Sequence, residues 1–166
     1  MALGPTFEHR VESLRDVIAL YDREIAILER KIHLQLKDDK GYQAIQALNG
    51  IGRTIAAILV AEIGDVSRFR SPDALCSWAG VTPRHHESDV VVHRGGITKM
   101  GSPLVRWAIQ EAVARYHGGT KLHADFVRIA ERRGKHRARI AVARKLLRLV
   151  YFGLRDGEIR CLAKAA

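Results

Sequence analysis

The sequence predicts an all-α protein in which a long N-terminal coiled-coil helix precedes a compact helical domain, and three observations carry that expectation. Apolar residues recur in alternating steps of three and four at Val11, Leu14, Ile18, Tyr21, Ile25, Leu28 and Ile32. Helical patterns flank a Gly50-Ile51-Gly52 turn. Two Ser-Pro pairs, Ser71-Pro72 and Ser102-Pro103, have the form of an N-cap followed by proline at the first helical position.

The first element is expected over residues 7–36. Its spacing is a heptad seam sustained over three repeats, with charged residues filling most of the positions between, and such a seam asks for a partner helix. A second copy of the chain would serve, and so would the helix's own domain if it folds back. The charged stretch Lys37-Asp38-Asp39-Lys40 with Gly41 reads as a linker at 37–41. A body at 42–155 and a tail at 156–166 follow. Helices are expected at 42–48 and 53–63 about the Gly-Ile-Gly turn, then at 73–79, 104–116, 122–131 and 140–153. Between 81 and 100 the period fails. Valines, paired glycines and dense polar side chains predict an irregular loop with a short β-ribbon near residues 90–93, a better place for chemistry than a packed helix.

Of 166 residues, 47% are hydrophobic, enough for one core of ordinary size. The 28 Lys and Arg against 18 Asp and Glu give a net charge of +10, which favours a polyanionic partner. No apolar run approaches the roughly 20 residues of a membrane span. The N-terminus lacks the layout of a secretory signal, so a cytoplasmic protein without a membrane partner is expected. Cys76 and Cys161 lie far apart in apolar surroundings and read as reduced core thiols. Neither joins a zinc-like spacing with His85 and His86, and no metal site is expected within this chain.

The function suggested by the residues is phosphate binding. Gly50 and Gly52 permit backbone conformations closed to other residues, and their N–H groups, with those of the next helix's first turn at Arg53, can face an anion in a helix-hairpin-helix. Basic residues gather in three further places: Arg84, Arg94 and Lys99 with three histidines in the irregular loop, the run from Arg132 to Arg139 that includes Arg137, and Arg144 and Arg148 on the last helix. Arg106 joins them as a candidate. Summed Lys and Arg contacts of this kind supply most duplex affinity.

Five segments in order, Leu48-Asn49-Gly50-Ile51-Gly52, the run from Ala61 to Phe69, Trp78-Ala79-Gly80-Val81-Thr82-Pro83, the run from Arg94 to Trp107, and the run from Ala141 to Leu147, resemble the C-terminal domain of the insertion-sequence one-ten family of transposases. The resemblance spans about residues 42–152. It implies a DNA recombinase guided by a bridge RNA, in which a RuvC-like domain with a DEDD carboxylate set binds magnesium, a coiled coil follows, and the C-terminal domain supplies a serine nucleophile. No stretch here has the strand-and-carboxylate pattern of a RuvC-like fold. The chain is therefore expected to be a fragment, a truncation or a degenerate copy, with no cofactor of its own and magnesium only in the missing domain.

In the family the serine follows the glycine-to-proline motif matched by Gly80-Val81-Thr82-Pro83, and the matching position is Ser88. Where relatives carry Ser-Ser-Gly, this chain has Glu87-Ser88-Asp89. A serine hydroxyl attacks a phosphodiester only if its proton is removed and the developing charge is neutralised. His85, His86 or His93 are candidate bases, and Arg84, Arg94 or Lys99 candidate partners of the phosphate oxygens. The resemblance thus implies DNA and a guide RNA as partners, alongside self-association through residues 7–36. The alternative is a non-catalytic, oligomerising DNA- or RNA-binding module.

Overall fold

A computed structural model of the chain describes residues 4–88, 91–115 and 118–160, with backbone alone for residues 5–6, 85–88 and 91–94. Seven α-helices and one two-stranded ribbon are found among the described residues, an all-α protein with a short β element, as expected. The chain divides into two units, Met1–Leu36 and Lys37–Ala166.

The first unit is a 32-residue helix, α1 (Pro5–Leu36). Its predicted seam positions Leu14, Ile18, Tyr21, Ile25, Leu28 and Ile32 are all exposed, Leu14 and Tyr21 at 63% each.

The second unit opens earlier than its hydrophobic pattern suggests. Helix α2 (Lys40–Gln46) begins inside the expected linker, because Asp39 Oδ1 accepts a hydrogen bond from Tyr42 N at 2.7 Å and caps the first turn. A turn through Gly50 leads into α3 (Arg53–Ile63), and a 3₁₀ turn at Val66–Arg68 leads into α4 (Pro72–Trp78). Ser71 and Ser102 cap α4 and α5 (Pro103–Ala114) as the Ser-Pro pairs predict, accepting from Ala74 N and Val105 N at 3.2 Å each. Ser102 also donates to Glu62 Oε2 at 2.6 Å, tying α5 to α3.

Helices α6 (Lys121–Arg133) and α7 (Lys135–Asp156) absorb most of the basic stretch that the sequence left between helices. Only Gly134, at φ +85°, separates them. A run of arginines and lysine is a good helix former, and charge alone does not break a helix. Ala138, Val142, Leu146 and Val150 form a fully buried stripe on α7, against which α2, α4, α5 and α6 pack. Ile45, Leu59, Leu75, Ile109, Leu146 and Leu147 are fully buried, each worth about 1.5–3 kcal/mol of burial. Ile159, assigned to the tail, is buried with them. Cys76 is a buried core thiol whose Sγ approaches the Arg144 carbonyl at 3.6 Å, and burial pushes its pKa up to about 11. Cys161 and the last tail residues lie outside the described residues.

The segment expected to be mostly irregular is largely strand. β1 (Pro83–Ser88) pairs antiparallel with β2 (Val91–Ile97), in register Ser88↔Val91, Glu87↔Val92, His86↔His93 and His85↔Arg94. The pairing then slips to Pro83↔Ile97, so Gly95 and Gly96 together oppose Arg84 in a β-bulge. The ribbon is longer than the predicted 90–93 because backbone pairing does not require the alternating apolar pattern that was sought.

Candidate nucleic-acid interface

Gly50 and Gly52, equal partners in the sequence reading, have different employments. Gly50 sits at φ +82°, and a Cβ there would fall 2.2 Å from the Ala112 carbonyl oxygen on α5. Its lack of a side chain serves packing between the α2–α3 turn and α5. Gly52 is the N-cap of α3 at φ −85°, ψ −179°, an extended conformation any residue adopts, and a Cβ there would meet nothing within 4 Å. It supplies no side-chain cap, which leaves the positive end of an 11-residue helix uncovered by its own N-cap. An open groove of about 360 Å³ lies along this turn, lined by Gln46, Asn49, Gly50, Gly52 and Arg115. Arg53 follows, exposed, as the first residue of α3.

Arg115 was absent from the sequence reading. It is the C-cap of α5, more than 60 positions from the turn it faces, and only the packing of α3 on α5 brings the two together. No local pattern signals it.

A second basic site lies at the foot of the ribbon. A cleft of about 690 Å³ is lined by Asp73, Thr82, Arg84, Thr98, Met100 and Arg144 among others. Arg84, set by the bulge, donates from Nη2 to the Thr98 carbonyl at 3.1 Å. From α7, Arg144 Nη2 and Arg148 Nη1 reach the same Asp73 oxygen on α4, at 3.0 and 3.6 Å. Two predicted residues from the last helix thus converge on one carboxylate, and Arg84 from the ribbon lines the same cleft.

The remaining candidates are placed apart. Lys99 is exposed and is the non-glycine residue held at positive φ among those described, φ 57°, with its N–H on the Gly80 carbonyl at 3.1 Å. Left-handed backbone costs a lysine roughly 1–2 kcal/mol. Arg106 is taken up by the framework: its Nη1 donates to the carbonyls of Ala79, Met100 and Gly101 at 3.3, 2.6 and 3.0 Å. That corner holds Gly80 and Gly101 at positive φ, and a Cβ on Gly101 would fall 1.9 Å from the Trp78 carbonyl oxygen. Arg137 is exposed in the first turn of α7. Ser88 ends β1, and its side chain, with those of His85, His86, Glu87, His93 and Arg94, lies outside the described part; Asp89 lies outside it altogether.

No three His, Cys, Asp or Glu side chains among the described residues are grouped to hold a metal ion. No helix among the described residues is long and apolar enough to cross a membrane.

Residues 42–123, from α2 into α6, match the family model described as Transposase IS116/IS110/IS902 family. The chain is similar to a pilin gene-inverting protein of Moraxella bovis, 34% identical over 122 residues that cover 69% of this chain and 37% of the relative. It is similar to a probable family 20 transposase of Pseudomonas aeruginosa, 31% identical over 96 residues, 58% of this chain and 28% of that protein. A transposase for insertion sequence element IS1111A of Coxiella burnetii is 25% identical over 167 residues, 97% of this chain and 46% of the relative. The chain spans less than half the length of each of these relatives. The match runs from α2 through the glycine turn and both Ser-Pro starts into α6, and the chain belongs to the IS116/IS110/IS902 transposase family, as an insertion-sequence transposase domain.

Proposed function

We propose that this transposase domain grips the phosphate backbone of DNA and contributes Ser88 as the nucleophile of strand exchange during transposition. The observation that carries the grip is the α2–α3 turn. An uncapped helix N-terminus opens on a groove beside Arg115, and Gly52 is small where neither its φ nor its surroundings demand glycine. A phosphate oxygen approaching the α3 amides would need that space. Arg53, Arg137 and Lys99 add exposed charge, and a structured guide RNA would present the same backbone to it. Arg106, committed to three carbonyls, is left out of this surface.

For the chemistry, His85, His86 and His93, all in the ribbon, are the candidate bases for Ser88. As one of them takes the hydroxyl proton, a bond forms from Ser88 Oγ to phosphorus and the bond to the departing sugar oxygen breaks, that oxygen collecting a proton. Reversal with a different sugar hydroxyl rejoins the strand and frees the serine. The relative named as a gene-inverting protein is consistent with a strand-exchange reaction in this family. The exposed seam of α1 would bring copies of the chain together, and a RuvC-like domain would complete the active site.

Gly52→Asp tests the grip. An aspartate N-cap stabilises a helix by a few tenths of a kcal/mol or more relative to glycine, yet repels phosphate. The expected result is an unchanged or higher Tm with about tenfold weaker duplex binding at low salt. Unchanged affinity would remove the turn from the interface. Capture of a covalent Ser88–DNA adduct, lost in Ser88→Ala, is the matching test of the nucleophile. If strand exchange by a full-length protein survives Ser88→Ala, the domain is a non-catalytic binding module.

A further inference from the structure

We propose that the cleft at the foot of the ribbon is a phosphodiester-binding subsite, with Asp73 an internal stand-in for the phosphate. This rests on the nucleic-acid reading above and assigns that reading a second, separate point of contact. The cleft has three features of such a site. Arg144 and Arg148 pair with one carboxylate and Arg84 lines the same cleft, so the formal charge there is positive with Asp73 in place. Asp73, Arg144 and Arg148 have half-exposed side chains, and ion pairs that open to solvent contribute about 0–1 kcal/mol each. Bracing α4 against α7 is therefore a weak reason for two arginines on one oxygen, since Cys76 and Leu75 already bury α4. Guanidinium groups held by one carboxylate are pre-oriented for another anion with planar or tetrahedral oxygens.

The hydrogen-bonding inventory agrees. Arg144 Nε and Thr98 Oγ1 have no hydrogen-bond partner, although both atoms are buried and both residues line the cleft. Unpaired buried donors in a native fold call for a ligand or a rearrangement that supplies one. Met100, 69% exposed, and Pro83 give the same cleft an apolar wall. A sugar adjoining the bound phosphate would lie against it. The bulge at Gly95 and Gly96 determines where Arg84 sits, so the ribbon that ends in Ser88 also sets one side of this subsite. The phosphate so held belongs to the strand that runs beneath the ribbon, whether DNA or RNA.

The test uses the full chain and fluorescence anisotropy with labelled duplex DNA, single-stranded DNA and single-stranded RNA of one sequence, across a salt series. Arg84→Gln and Arg144→Gln are expected to weaken binding about five- to tenfold and to lower the salt slope by about 1 each. Asp73→Asn is the discriminating variant. It breaks both ion pairs yet removes the competing negative charge, and the expected result is binding tightened about threefold with little change in Tm. Whichever probe responds to all three variants identifies the strand. If Asp73→Asn weakens binding and lowers Tm together with Arg144→Gln, the cluster is an interhelix brace and the proposal fails. If Gly52→Asp weakens binding while Arg84→Gln and Arg144→Gln do not, the cleft is overturned and the nucleic-acid reading stands. Absence of binding by the unmutated chain at low salt would overturn both.

Discussion

At the scale of single residues, the two glycines of the α2–α3 turn separate a packing requirement from the proposed binding one. Any side chain at Gly50 needs both a left-handed backbone and room occupied by the Ala112 carbonyl. Gly50→Ala is expected to cost roughly 2–4 kcal/mol, because strain and a displaced helix–helix contact add. Gly52→Ala should be within about 0.5 kcal/mol of the parent, its position being open and extended. Urea unfolding of the two variants checks this directly, and equal losses would mean that the turn is a single structural unit. The contrast also governs how binding data are read. A loss of affinity in a Gly50 variant reports unfolding, whereas one in a Gly52 variant reports the surface.

At the scale of elements, α6 is the helix of the second unit with least hold on the core. None of its residues is buried, and its apolar side, including Leu122, Phe126 and Ile129, is only half covered by α7. Asp125 is the polar clasp: its carboxylate accepts from Lys145 Nζ on α7 at 2.5 Å and from Arg128 at 2.7 Å. These hydrogen bonds, Lys145 first and Arg128 second, hold the Asp125 pKa below its ordinary value. A carboxylate depressed in the folded state stabilises it above the unfolded pKa, near 3.8, and that contribution is lost as pH falls through the folded value. Amide protection in residues 121–133 is therefore expected to hold from neutrality to about pH 5 and to fall below about pH 4, ahead of the α7 core. Asp125→Asn should remove that pH dependence. Protection that declines equally in both proteins would assign the acid step to another group.

The same elements mark what could be read beforehand. Helices α4 and α5 were legible because their starts are written locally, in Ser71-Pro72 and Ser102-Pro103. The heptad spacing located α1 in the same way. The join between α6 and α7 was not, since a single glycine at positive φ interrupts an otherwise helix-favouring basic run. The ribbon was seen only in part, because a two-stranded pairing satisfies its backbone without an apolar face to betray it. In the candidate site, Gly52, Arg84, Arg144 and Arg148 could be named from charge and glycine placement. Arg115, the Asp73 counter-ion and the framework role of Arg106 could not, as each depends on which helices meet in space.

At the scale of the whole molecule, the unsolved problem of the isolated chain is the exposed apolar seam of α1. A 32-residue helix extends about 48 Å, and along it Leu14, Ile18, Tyr21, Ile25, Leu28 and Ile32 face solvent at heptad spacing. Scattered exposed apolar residues are ordinary, but a continuous seam at this period gains most of its stabilisation from a partner helix. A second copy of α1 supplies an identical seam, which suits a closed two-fold pairing. Pairing would also place two copies of the proposed phosphate-binding surface in one particle, raising apparent affinity for a long DNA well beyond that for a short one. Ile18→Asp combined with Ile25→Asp is expected to leave the thermal transition of the second unit unchanged. In analytical ultracentrifugation it should shift the protein to the monomer mass, and it should weaken binding to long duplexes more than to short ones. If the doubly substituted chain keeps the parent's mass, association runs through another surface and the seam of α1 is left for a different partner.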